Sequence, residues 1–166
     1  EDLIRGIIVQ SGNDACIAIA EGISGSEALF AEELNLLAKE IGMINSSFTN
    51  STGWPDPDHL TTIQDLLTLT VRTIEDFPEL YYYYAEKEFT YSGIRQLNRN
   101  PLLFNEINAD GLKTGHTSLG GYGLVASVLK NNRRLILILN GLKRNKDRSD
   151  ESERLIKVGY NQYKVV

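Results

Sequence analysis

Two short stretches of the chain hold residue types that could work together on an acyl group. Ser11-Gly12-Asn13 places a hydroxyl and an amide two positions apart at a turn. About a hundred residues later, Lys113-Thr114-Gly115 places an ammonium, a hydroxyl and a position without a side chain on a predicted strand. Such an ammonium is a compact cation for a carboxylate, and the hydroxyl can add a hydrogen bond to it. Each tripeptide alone is ordinary turn or strand-edge chemistry. What they could do together depends on whether the fold brings them to one cleft.

The elements that would position them are legible in outline. Leu3, Ile4, Ile7 and Ile8 recur at helical spacing up to Ser11-Gly12-Asn13, where Asn13 or Asp14 can cap a second apolar segment over 15–23. Ser24 with Glu27 predicts a capping box for a helix with Phe30, Leu34, Leu37 and Ile41 inward and Gly42 at its end. A long loop over 43–60 follows, and loops of that length usually cover or do something. Thr61 with Gln64 predicts another capping box, for a helix with Ile63, Leu67, Val71 and Ile74 inward and Pro78 at its end.

From Lys87 the period changes to that of strands, first at Phe89 and Tyr91 and then over 111–117. Segments 122–130 and 133–140 flank Asn131-Asn132, a two-residue hairpin connection. The unbroken run Leu135 to Leu139 predicts a strand covered on both faces, and Leu155, Val158 and Tyr163 predict a helix over 147–163 to cover it. The fold class is therefore α+β, a helical cluster followed by an antiparallel sheet with a packed C-terminal helix. All 166 residues are expected to form a single domain.

Composition narrows the chemistry. A net charge of −5 argues against nucleic acid as a partner, since phosphate neutralisation needs a cationic surplus. The longest aliphatic run, Leu135 to Leu139, is far short of a bilayer span. The single Cys16 can form no internal disulfide and lacks the companions of a zinc site, so it reads as an inert core thiol. No metal or cofactor is expected. His59, between prolines and aspartates, reads as structural, Tyr81 to Tyr84 as packing, and Lys143 to Lys146 as a solvated turn.

In this order and context, the two stretches match the second and third motifs of the serine acyl-transferases that recognise penicillin. The segments 3–16, 93–100 and 110–117 resemble those of the low-molecular-mass D-alanyl-D-alanine carboxypeptidases, serine-type penicillin-binding proteins with a β-lactamase/transpeptidase-like fold. The likeness covers nearly the whole chain. It implies removal of the terminal D-Ala from peptidoglycan stem peptides through an acyl-enzyme, binding of β-lactams, and an extracytoplasmic location. It also implies roles: Lys113 and Thr114 hold the substrate carboxylate, and Gly115 makes room for the substrate backbone. The His116 N–H serves the oxyanion hole, Ser11 relays a proton, Asn13 holds the peptide group, and Arg95 strengthens the positive field near Lys113.

The family's first motif, Ser-x-x-Lys, should stand some tens of residues before Ser11, and no serine precedes Ser11 here. Ser127-Val128-Leu129-Lys130 matches in letters, but on a strand positions three apart point to opposite faces, so hydroxyl and amine cannot meet. The expectation is a chain truncated at its N-terminal side, inactive alone, with its nucleophile, leader, C-terminal β-rich domain and membrane anchor lying elsewhere. Exposed sheet edges would then favour self-association. The alternatives are a β-lactamase-like hydrolase, for which Asp56 and Asp58 are the loop carboxylates on offer, and a non-catalytic carboxylate-binding remnant.

Overall fold

The computed structural model describes residues 1–163. Helices α1 (Asp2–Gln10) and α2 (Asn13–Ser24) meet at a corner of two residues, Ser11 and Gly12. They meet with Gly6 facing Ala15, where an added Cβ would lie at an ordinary contact distance of 3.6 Å. Helix α3 (Glu27–Glu40) buries Ala31 and Ala38, with Phe30, Leu34 and Ile41 half-buried beside them. Leu37, expected inward, is exposed. Helix α4 (Ile63–Asp76) ends two residues before Pro78, and its first apolar residue, Ile63, is likewise exposed.

Both capping boxes shift along the chain. Ser26, not Ser24, caps α3 and accepts from the Leu29 N–H at 3.2 Å. Thr62, not Thr61, caps α4 and accepts from the Asp65 N–H at 3.1 Å. Glu27, read as the partner of Ser24, binds the loop 43–60 instead, and so does Asp65 in the first turn of α4. Glu27 accepts from the Ser51 N–H and hydroxyl at 3.0 and 2.6 Å, and Asp65 accepts from the Asn45 N–H and the Ser46 hydroxyl at 2.8 and 2.7 Å. A bridge between Ser47 and Leu60 closes the loop at its base.

Strands β1 (Glu88–Tyr91) and β2 (Ile94–Leu97) form a small ribbon against α1, tied to it by Arg5, which donates to Glu86 at 2.9 Å. The main sheet is an antiparallel meander, β3 (Ala109–Thr117), β4 (Gly121–Lys130) and β5 (Arg133–Leu142), in that spatial order. Its hairpin turns at Asn131 and Asn132, both left-handed, with φ of 52° and 59°. Asparagine tolerates that conformation because its short polar side chain can bond locally.

Helix α5 (Asn145–Gln162) covers one face of the sheet. Leu124, Ala126 and Val128 of β4 pack with Ile156 of α5 and with Leu102, which sits on the short 3₁₀ turn Pro101–Phe104. The inward stripe of α5 is Arg148, Ser152, Ile156 and Gly159 rather than Leu155, Val158 and Tyr163. Packing sets this rotation: a side chain at 159 would collide with Leu135, so the glycine faces the sheet. Tyr160 locks the arrangement, its one hydroxyl proton lying between two acceptors, Val128 O at 2.9 Å and Arg133 O at 3.0 Å. The run Leu135 to Leu139 is half-buried on both faces rather than sealed. Its second face looks across an apolar cavity of about 430 Å³ toward α1 and α4.

Replacing the fully buried Leu102 by alanine is expected to cost about 3 kcal/mol, the usual penalty of a core cavity, read as a lower urea midpoint at unchanged slope. Among the described residues, no strand pairs with the outer edge of β5. An open edge ten residues long is a template for another strand. Sedimentation velocity is therefore expected to show dimers or larger species, and a monodisperse monomer would refute that.

Candidate active site

The α1–α2 corner and strand β3 come together in one cleft of about 730 Å³. Ser11 ends α1 in the left-handed conformation, φ 56° and ψ 45°, its N–H bonded to Ile7 O at 3.1 Å. Gly12 bonds back to Gly6 O at 3.0 Å, and a Cβ there would press on Asp14 Oδ1 at 3.0 Å. A glycine thus closes the corner tightly, and the Ser11 side chain projects into the cleft. Asn13 opens α2, and its side-chain amide makes no hydrogen bond among the described residues.

Lys113 enters from the β3 side. Its Nζ donates to the Ser11 hydroxyl and to Thr114 O, the latter at 3.1 Å. This contact joins residues 102 positions apart and brings the two sequence motifs together. Thr114, Gly115 and His116 continue the same wall. A Cβ on Gly115 would meet nothing within 4 Å, so packing within the protein does not require this glycine. It leaves the strand edge bare toward the cleft. His116 lies over Tyr122 of β4, with ring centroids 4.0 Å apart.

Two arginines complete the lining, and neither is Arg95. Arg95 sits on the exposed ribbon, paired with Glu88 outside the cleft. The guanidinium of Arg99 takes the expected place, because the flanking asparagines are buried and pinned. Asn98 Nδ2 donates to Glu86 O at 2.9 Å, Asn100 Nδ2 donates to Gly111 O at 3.0 Å, and the Arg99 N–H reaches Val9 O at 3.3 Å. The second is Arg148 on α5, only 7% exposed. It lies 5.2 Å over the Tyr122 ring and donates to Gly115 O at 3.4 Å and to Asn145. Its Nε finds no partner among the described residues. The available signal for Arg148 was periodicity, since a charged residue at 148 shares the inward stripe with 152, 156 and 159.

Among the described residues the cleft therefore holds three cationic side chains, and no aspartate or glutamate lines it. Burial, with repulsion from Arg99 and Arg148, lowers the Lys113 ammonium to about 8. Such an arrangement can offer an anion charge-assisted hydrogen bonds beside a strand edge. Cys16 lies one turn behind Asn13, and burial raises its thiol above the ordinary range, so it is no thiolate.

The remaining candidates stand apart. His59 Nδ1 accepts from the Thr49 N–H at 3.2 Å and its ring abuts Phe48, a loop-packing role. Tyr81 and Tyr83 are buried. Asp56 accepts from the Asp58 N–H at 2.9 Å within the loop, and neither carboxylate lines the cleft. Ser127 is fully buried and hydrogen-bonded by Arg134, whereas Lys130 is exposed at the hairpin, so that Ser-x-x-Lys match forms no dyad.

Residues 1–143 match the family model for D-alanyl-D-alanine carboxypeptidases. The chain is 44% identical to the D-alanyl-D-alanine carboxypeptidase DacA of Haemophilus influenzae and 43% identical to DacC of Escherichia coli, in each case over 99% of this chain and 42% of the relative. It thus spans about two-fifths of the length of the curated relatives it matches. Penicillin binding protein 5 from Haemophilus influenzae superposes with a TM-score of 0.92 at 45% identity, covering 96% of this chain and 47% of that one. Penicillin-binding protein D2 from Listeria monocytogenes, in its ampicillin-bound form, superposes at 0.89 with 28% identity, covering 96% and 67%. These likenesses extend the α+β assignment to the transpeptidase/β-lactamase-like fold.

A ¹³C titration of the lysine side chains is expected to show one ammonium, Lys113, with its midpoint near 8. Arg99→Ala, which removes a neighbouring cation, should move that midpoint upward. Because the folded value lies below the unfolded one, Lys113 opposes folding where it must be charged. The resulting gain in stability appears as pH rises from about 8 to the normal lysine range near ~10.4.

Proposed function

Because this chain belongs to the D-alanyl-D-alanine carboxypeptidase family, we propose that it forms the substrate-holding side of a serine-type active site that releases the terminal D-Ala from peptidoglycan stem peptides. One observation carries the reading: a hydrogen-bonded Lys113–Ser11 pair lies in a cleft with two more cations and no carboxylate. The substrate ends in a carboxylate one residue beyond the scissile carbonyl. Lys113, Thr114 and the two arginines offer that carboxylate charge-assisted hydrogen bonds. The bare edge at Gly115 admits the peptide as an added strand, and the Asn13 amide is free to hold its penultimate peptide group.

In the proposed reaction a serine oxygen bonds to the carbonyl carbon, and the C–N bond to the terminal D-Ala then breaks. The His116 N–H stabilises the oxyanion, a contribution that can reach ~3–4 kcal/mol per donor. Ser11, already bonded to Lys113, passes a proton to the departing amine, and water later releases the acyl group. The attacking serine and its activating lysine do not line this cleft, and we assign them to a Ser-x-x-Lys outside these residues. A β-lactam offers the same pairing of an amide carbonyl with a nearby carboxylate, which makes it a ligand of the same site. The substrate's place in the cell wall implies action outside the cytoplasmic membrane. No helix among the described residues is long and apolar enough to cross a membrane.

Two measurements test the reading. Nα-acetyl-D-Ala-D-Ala is expected to bind the chain, with affinity level below pH 8 and falling above it as Lys113 loses its proton. Lys113→Ala should weaken binding about tenfold to a hundredfold and abolish that pH step. A fluorescent penicillin is expected to leave no covalent label, and stoichiometric labelling at any residue of the chain would overturn the placement of the nucleophile.

A further inference from the structure

The loop 43–60 reaches the cleft with Thr52 and Gly53, which line it beside Ser11, Asn13 and strand β3. At its base the loop is fastened by side chains of two helices. Asp65 of α4 takes the Asn45 N–H and the Ser46 hydroxyl. Asn35 of α3 brackets Phe48, accepting from its N–H at 2.8 Å and donating to its O at 2.6 Å. Beyond Phe48 the fastening thins out. Among the described residues, the only hydrogen bonds that join segment 49–59 to another element run to Glu27.

The tip of the loop is a knot tied within itself. Asn50 Oδ1 accepts from the N–H groups of Thr52, Gly53 and Trp54 at 3.2, 2.8 and 3.0 Å, and Asn50 Nδ2 donates to Trp54 O at 3.0 Å. Gly53, at φ 77°, supplies the left-handed residue that the turn needs. These bonds set the shape of the tip but not where it stands. Ser51 lies inside the knot, and its N–H and hydroxyl converge on one atom, Glu27 Oε1, at 3.0 and 2.6 Å.

Helix α3 is suited to hold that position. Glu27 is its first residue, where the helix dipole favours a negative charge, and Ser26 alone caps the end. Glu27, Ala31 and Asn35 follow at intervals of four and share one face, with Ala31 buried between the two polar side chains. The helix thus lies along the loop as a splint, with Asn35 on Phe48 and Glu27, about two turns away, on Ser51. The Ser51 bonds hold the Glu27 carboxyl below the usual carboxylate range, so it is ionised at neutral pH. Hydrogen bonds to an ionised acceptor are the stronger kind.

We propose that Glu27 is a positioning residue of the active site: through Ser51 it fixes where the knot 50–54 stands, and so the place of Thr52 and Gly53 in the cleft. Glu27 does not itself line the cleft and acts only through the loop. The inference rests on the proposed function for the ligand that reads the cleft. The test follows binding of Nα-acetyl-D-Ala-D-Ala through the His116 amide resonance, and the loop through those of Thr52 and Gly53. Glu27→Ala should shift the Thr52 and Gly53 resonances in the ligand-free chain. It should also weaken the peptide about threefold to tenfold, a fraction of what hydrogen bonds to a charged group contribute directly. Glu27→Gln keeps an oxygen where both Ser51 donors meet and should restore most of the native affinity. Ser51→Ala should weaken binding in the same sense, and adding it to Glu27→Ala should cost nothing more, because the two residues form one contact. Ser26→Ala is the control for a merely structural role. It removes the α3 cap and should lower the urea midpoint while leaving affinity and loop resonances native. Native affinity in Glu27→Ala, or an equal loss in Ser26→Ala, would overturn the positioning role while leaving the function intact. If the native chain binds no peptide, the functional reading fails, and the ligand-free Thr52 and Gly53 resonances of Glu27→Ala still decide whether Glu27 places the loop.

Discussion

The cleft depends on an uncompensated cation. Lys113 is drawn off solvent to meet the Ser11 hydroxyl, and its neighbours are two guanidinium groups rather than a carboxylate. Folding gains nothing from that electrostatic arrangement, because burial and like charges nearby disfavour the charged form and lower the pKa of the ammonium. Elsewhere the molecule pairs its charges freely: Arg5 with Glu86, Arg134 with Asp110, Arg144 with Asp147. The contrast marks the cleft as the place where a counter-charge is left for something other than the protein to supply.

The rest of the structure serves that position. The helix corner can hold Ser11 in the left-handed region because Gly12 turns the chain at once, and β3 can face it because the meander behind is pinned by α5. Asn98 and Asn100 deliver Arg99, and the inward stripe of α5 delivers Arg148. The cations thus come from three separate elements, each fixed by hydrogen bonds or core packing of its own. Precision of this kind is what a site for a small anion requires.

Much of this was legible in the residues, and what was not has a physical reason. The helices α1 and α4, the strand alternation and the Asn131-Asn132 hairpin are local signals, and the structure keeps them, although Leu3, Ile4 and Ile63 of the apolar periods lie exposed. Caps misread by one or two positions, at Ser24 for Ser26 and Thr61 for Thr62, reflect adjacent hydroxyl residues that compete equally in sequence. The decision lay in the tertiary demand of the loop 43–60 for Glu27 and Asp65. Arg95 and Arg99 are both arginines in the stretch 93–100. Only the fold reveals that the first sits on a solvent-facing ribbon and the second between two buried asparagines. The face of α5 was set by a glycine against Leu135, where hydrophobicity alone favoured Leu155 and Val158.

The geometry also separates two tasks that acyl transfer combines. On the proposed reading, recognition of the anion, alignment along a strand edge and proton relay fall to residues of this chain, whereas the bond-forming oxygen does not. Those tasks divide cleanly because they make different demands. A Ser-x-x-Lys nucleophile needs a helix that sets the serine beside a lysine three residues on, and a hydroxyl without an activating base stays a weak nucleophile. Ser11 shows the difference: its oxygen already accepts from Lys113, an ammonium donor that lowers the nucleophilicity of a hydroxyl while suiting it to pass a proton. The same bond that marks the cleft as a place for carboxylates therefore argues that Ser11 is not the residue that is acylated there.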